Sequence, residues 1–195
     1  MKNIKWLSML VFIILLSLNA EAQTGIRKGI KGGYNWSTMT GDLFESTETL
    51  QEITAGFTLE FSLLGLFAVQ AEALYSPKGA QGMVSGNTEE YQLTYISCPV
   101  FLKKKFLPIL VHPYLLAGTE FGFLVSAKHV DEDIKSRINS QDTAVILGGG
   151  VEFSFIGNSA YVEGRYSYGL DNVFKDTEDG DSKNRVTQVF FGILF

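Results

Sequence analysis

The chain has 195 residues, a formal net charge of −5, 20 glycines, 15 phenylalanines, 8 tyrosines and a single cysteine, Cys98. That length fits one domain, and the acidic balance without a basic stripe excludes a nucleic-acid partner held through phosphate contacts. A lone cysteine excludes an intrachain disulfide framework, and Cys98 reads as a small apolar residue rather than a nucleophile.

In chain order, residues 1–22 come first. Lys2 and Lys5 precede an apolar run from Trp6 to Leu18, and Ala20-Glu21-Ala22 forms a small-x-small cleavage site before Gln23. The run is shorter than the roughly 18 to 20 residues of a spanning helix, so it reads as a secretory signal peptide rather than an anchor. Gln23 in place of cysteine argues against a lipid-modified N-terminus. Residues 23–195 are then the exported domain, and no later apolar run approaches spanning-helix length.

From Ile26 onward the chain alternates with period two, the mark of half-buried strands. A first strand, about Ile26 to Trp36, carries Ile30, Tyr34 and Trp36 against Arg27, Lys31 and Asn35. The second sets Ile53, Ala55, Phe57, Leu59 and Phe61 against Thr54, Gly56, Thr58 and Glu60. In the third, Phe67, Val69, Ala71, Ala73 and Tyr75 alternate with Gln70 and Glu72. The fourth, about Tyr91 to Lys103, starts with Tyr91, Leu93 and Tyr95 on the apolar face and loses phase near Pro99, which cannot donate to a ladder and suggests a bulge. The fifth has Leu115, Ala117, Phe121, Phe123 and Val125 opposite Tyr114, Glu120 and Gly122; the sixth has Val145, Leu147, Val151 and Phe153 opposite Gly148, Gly150 and Glu152. The seventh sets Ala160, Val162, Tyr166 and Tyr168 against Glu163 and Arg165, and the eighth carries Val189, Phe191, Ile193 and Phe195 on one face.

The connections alternate in length. Polar stretches at Ser37–Glu52, Pro77–Glu90, Lys128–Gln141 and Leu170–Asn184 are long; those near Leu63–Gly65, Lys104–Leu110 and Ile156–Asn158 are short. Short turns on one side and long loops on the other, over an even number of antiparallel strands, describe an outer-membrane barrel with periplasmic turns and exterior loops. The expectation is therefore an all-β, eight-stranded antiparallel up-and-down transmembrane β-barrel.

Alternation alone does not say which face is inside, because a soluble lipocalin-like barrel turns its apolar face inward. Two features favour the membrane. The polar face carries both signs, Arg27, Lys31, Glu60, Glu72, Glu120, Glu152, Glu163 and Arg165, a set suited to pairing in a narrow lumen. The apolar face carries Tyr34, Trp36, Tyr75, Tyr95, Tyr166 and Tyr168 near strand ends, as interfacial girdles do. The apolar face, including Val189, Phe191, Ile193 and Phe195, is then expected to touch outer-membrane lipid.

Several stretches also carry a family resemblance: G-I-K-G-G-Y-N-W-S (Gly29 to Ser37), L-T-Y-I-S-C-P-V-F-L-K (Leu93 to Lys103), P-Y-L-L-A-G (Pro113 to Gly118), G-G-G-V-E-F (Gly148 to Phe153) and E-G-R-Y-S-Y-G-L (Glu163 to Leu170). In this order they resemble the PorT-like outer membrane protein beta-barrel family of Bacteroidota, also labelled porin family protein. The resemblance implies a small outer-membrane barrel of the OmpX or OmpA type. It also implies that Val189, Phe191, Ile193 and the terminal Phe195 form the C-terminal signal read by the barrel-assembly machinery. Members range from a secretion-associated protein to barrels without a known role, so no single function carries over.

Chemistry has few places to reside. His112 lies by a short turn; His129 lies beside Ser126 with Asp131, Glu132 and Asp133 nearby, an unspecific grouping for a lipid-modifying hydrolase or acyltransferase. The acidic run Asp176 to Asp181 lacks the carboxylate spacing of a calcium loop. No enzyme, cofactor or metal is expected. The interior of an eight-stranded barrel is about filled by its own side chains, so a structural role or recognition through exterior loops, with Phe44, Met83, Val84 and Phe174 as candidate anchors, stands ahead of a small-solute porin, a secretion-system subunit or a barrel enzyme. The ligand of those loops, protein or glycan, is open.

Overall fold

The structure, a computed structural model, describes residues 25–41, 46–63, 66–84, 87–106, 110–129, 132–135, 138–155, 157–173 and 182–195. The expected signal peptide, the acidic run 176–181, Asp131 and the loop residues Phe44 and Phe174 lie outside them, as do the side chains of 80–91, Glu132 and Asp133.

The period-two segments become strands β1 (Ile26–Gly41), β3 (Leu50–Leu63), β4 (Phe67–Val84), β5 (Asn87–Lys105), β6 (Val111–His129), β8 (Gln141–Phe155), β9 (Asn158–Gly169) and β10 (Ser182–Leu194), with short strands β2 (Ser46–Glu48) and β7 (Glu132–Asp133) beside β4 and β6. Each long strand pairs antiparallel with its neighbour in the chain, and β1 pairs with β10 from Gly29↔Leu194 to Gly41↔Ser182. The eight-stranded sheet therefore closes and keeps no free edge, which is what backbone amides in hydrocarbon require. Between β8 and β9 the register runs to Phe155↔Asn158, and Gly157, at φ 77°, takes the left-handed position that so tight a turn needs.

Facing follows the alternation. Ile53, Phe57, Leu59, Leu115, Leu147 and Phe191 stand outward and exposed, whereas Lys31, Thr58, Glu60, Glu72, Glu120 and Arg165 stand inward and buried. Charged side chains buried inside and large apolar ones bare outside is the inverse of a soluble protein, and it fits a barrel whose solvent is lipid.

Two sequence expectations are corrected. The stretch Pro77–Glu90 is not a long loop: β4 and β5 stay paired out to Val84↔Asn87. Apolar alternation fades there because a hairpin standing above the bilayer has no lipid face to keep greasy. The fourth segment does not lose phase either. Leu93, Tyr95, Ser97, Pro99, Phe101 and Lys103 all point inward, so Leu93 and Tyr95 belong to the bore and not to the lipid face or the girdle. The irregularity falls in the next strand, where Thr94 pairs with Ser126 and Tyr95 with Leu124, leaving Val125 as the extra residue. That bulge returns Ala127 to the inside. At this end Met39, Leu93, Tyr95, Leu124 and Ala127 pack with the loop residues Ile134, Ile138 and Val173 into an apolar cap.

Candidate functional site

The candidate site is the bore, which its own side chains fill in three charged layers. Nearest the chain termini, Arg27 from β1 contacts Glu60 from β3, and its Nη1 donates to Glu152 Oε1 on β8 at 2.6 Å. Two β5 lysines complete this layer: Lys103 Nζ lies 2.9 Å from Glu60, and Lys105 Nζ lies 2.7 Å from Glu60 and 3.1 Å from Glu152. The Lys103 ammonium also sits 3.9 Å from the centre of the Tyr114 ring.

The middle layer is the most enclosed. Lys31 Nζ stands 3.0 Å from Glu72 and 2.9 Å from Glu163, and Arg165 grips Glu72 with both terminal nitrogens, at 2.9 and 2.5 Å, while Nη2 reaches Glu163 at 2.6 Å. All four side chains have no solvent exposure. Phe101 and Phe190 flank the guanidinium at 4.3 and 4.9 Å, the Tyr114 hydroxyl donates to Glu163 at 2.8 Å, and the Gln70 amide donates to Glu72 at 2.6 Å. Glycines make room for the aromatic rings. A Cβ on Gly192 would lie 2.3 Å from Tyr161 Cζ, and one on Gly150 would lie 2.6 Å from the Tyr114 oxygen.

Toward the loops, Lys78 on β4 bridges Glu120 at 2.7 Å and Asp142 at 2.9 Å; Ser97 donates to Glu120 and Asn184 to Asp142. Gln188 donates to Asn35, which in turn donates to the Pro77 carbonyl at 2.8 Å. Above these lies the apolar cap. Among the described residues of these three layers, Arg27, Lys31, Lys78, Lys103, Lys105 and Arg165 face Glu60, Glu72, Glu120, Asp142, Glu152 and Glu163, six of each sign. Balance matters because a charge taken out of water is tolerable only when paired and hydrogen-bonded.

The sequence-selected Arg27, Lys31, Glu60, Glu72, Glu120, Glu152, Glu163 and Arg165 all face this bore. Arg165 is partnered by Glu72 and Glu163, however, and not by Glu152, which serves Arg27 and the two β5 lysines. Sequence reasoning missed Lys78, Lys103, Lys105 and Asp142. Lys103 shares the parity of Phe101 and Ser97, and that was the available signal; Lys78 and Asp142 fell in or beside stretches that read as loops.

Val189, Phe191, Ile193 and Phe195 line the outer face of β10 and the residue after it, with Phe191 the most exposed of them. His112 and His129 stand near opposite ends of β6, so they do not share a site. Among the described residues no group of three or more His, Cys, Asp or Glu is arranged to hold a metal.

A family model for the outer membrane protein beta-barrel domain matches residues 20–175. Among solved structures, the outer membrane protein OprG of Pseudomonas aeruginosa superposes with a TM-score of 0.55 at 12% identity, over 88% of this chain and 97% of that one. Neisserial surface protein A gives 0.54 at 14% identity, over 86% and 95%. No curated protein sequence matches. At these identities the two likenesses speak for the fold alone, and they agree with a closed antiparallel barrel. With the family model spanning most of the sequence, the chain belongs to the outer membrane protein beta-barrel family and is a small barrel of the bacterial outer membrane.

Proposed function

We propose that this barrel is closed to solutes and without catalytic activity, and that it acts through what it presents outside the membrane. The observation that carries the reading is the bore: among the described residues, buried ion pairs fill it layer upon layer beneath an apolar cap. A pore would instead line its bore with hydrated charges. The test is single-channel recording of the purified barrel in a planar bilayer. We expect no unit conductance, and reproducible steps would replace this reading with the porin one.

Recognition is favoured over a purely architectural role by the β4–β5 hairpin. From the girdle residue Tyr75, β4 runs on to Val84, about 30 Å of strand, flanked by β2 and by β6 with β7. Such a paired sheet standing above the bilayer is a platform of the kind on which recognition usually sits. The partner is an extracellular protein or glycan, or, in line with the PorT-like order of the sequence motifs, a component of a secretion assembly. Crosslinking from the hairpin in intact cells, followed by identification of the captured species, separates the two. During biogenesis the outward row Val189, Phe191, Ile193 and Phe195 serves as the segment read by the assembly machinery. Phe195→Ala is expected to slow insertion in cells while leaving refolding into synthetic vesicles unchanged.

A further inference from the structure

The outer wall carries a charge pattern of its own. On the eight barrel strands, the carboxylates whose side chains are described, Glu52, Glu60, Glu72, Glu120, Asp142, Glu152 and Glu163, all share the inward parity. Among the described side chains the outward charges are all positive: Lys28 and Lys104 toward the turn end, Lys128, Lys183 and Arg185 toward the loop end. Lys183 and Arg185 lie two residues apart on the same face of β10, about 7 Å along the strand.

Arg185 is held in place. Its guanidinium carbon sits 3.4 Å from the centre of the Tyr168 ring, and its Nη1 donates to the carbonyls of Gly169 and Asn184, both at 3.0 Å. No carboxylate among the described residues pairs with it, although every cation in the bore has one. In register beside the two cations stand Thr38 and Thr40 of β1, and directly below come Trp36, Tyr34 and Tyr166, the aromatic belt that marks the headgroup boundary. Farther down the same wall, Gly32 and Ala160 leave an apolar groove of about 530 Å³ walled by Phe153, Phe191 and Ile193. From Arg185 to Phe191 is about 20 Å of strand, or about 15 Å along the membrane normal at barrel tilt, which is near the bilayer midplane.

We propose that Lys183 and Arg185 bind a phosphate group of an outer-leaflet glycolipid, one of whose acyl chains runs down β10 toward the groove. A planar guanidinium immobilised by stacking matches phosphate geometry without further ordering, and the lysine supplies a second cation at the same depth. Among the described residues no anion stands at this position, and the outer leaflet supplies one as phosphorylated glycolipid.

Native mass spectrometry of the detergent-solubilised barrel with added lipid A tests the proposal. One retained lipid A per barrel is expected. The pair Lys183→Ala with Arg185→Ala should lose it, Arg185→Lys should retain it only partly, and Lys104→Ala, at the opposite end of the wall, should retain it fully. Heat-modifiable gel migration checks that each variant is folded. Dephosphorylated lipid A, offered to the unmutated barrel, should not be retained, an arm that needs no variant. Equal retention after the double substitution or after removal of the phosphate would overturn the site. Equal retention of phosphatidylglycerol would show a patch that does not distinguish headgroups and would overturn the glycolipid assignment.

Discussion

Arg165→Ala probes the bore most directly. The substitution removes a guanidinium that makes two contacts to Glu72 and one to Glu163 and lies between Phe101 and Phe190. Lys31 would then be the only cation left for both carboxylates in a layer with no solvent exposure, and the layer would carry an uncompensated negative charge. Breaking a buried pair on one side costs about 3–5 kcal/mol, and each lost cation–π contact adds roughly 0.5–2 kcal/mol. Because these terms overlap, a total of about 4–6 kcal/mol is expected. The assay is equilibrium urea unfolding from lipid vesicles followed by the emission of Trp36, which faces outward near the girdle. A compensated variant, Arg165→Leu with Glu72→Gln, restores neutrality while keeping the Lys31–Glu163 pair, and it should recover most of the loss. If Arg165→Ala unfolds at the same urea concentration as the parent, or the compensated variant is no better than the single one, the charges are hydrated and the filled-bore reasoning fails.

The remaining predictions concern facing, packing and closure. Phe57→Arg and Leu147→Arg place a charge in the lipid at mid-strand and should each cost about 2–4 kcal/mol in the same assay; free tolerance of arginine at both positions would mean that the faces are reversed. Gly192→Val drives a Cβ to within 2.3 Å of the Tyr161 ring and should destabilise the barrel by about 1–3 kcal/mol through overpacking, whereas Gly164→Val, where a Cβ meets nothing within 4 Å, should be near neutral. The folded chain should also migrate differently on gels before and after heating, since closed barrels resist detergent until heated; identical migration would argue against closure.

Much of this was legible in the residues themselves. Lipid and lumen impose opposite demands on alternate positions, so Phe57 against Thr58, or Val162 against Glu163, declares its face without any knowledge of the neighbours. The same parity brought Arg27, Lys31, Glu60 and Arg165 to one side of the wall, and turn length ordered the strands. The signal weakened where one of the two solvents is missing. Past the girdle the β4–β5 hairpin has no lipid face to keep apolar, so residues 77–90 resembled a loop and Lys78 went unnoticed. At the cap the interior is itself apolar, so Leu93 and Tyr95, which belong to it, looked like lipid-facing residues.

Which charges meet was decided by the tertiary structure alone. Lys31 and Arg165 reach Glu72 from across the bore, and Lys103 meets Glu60 and Glu152 from different walls. Those distances depend on the stagger with which β1 closes on β10. Period two fixes the direction in which a side chain leaves its strand; only the closed register fixes how far along the axis it lies, and ion pairing requires both.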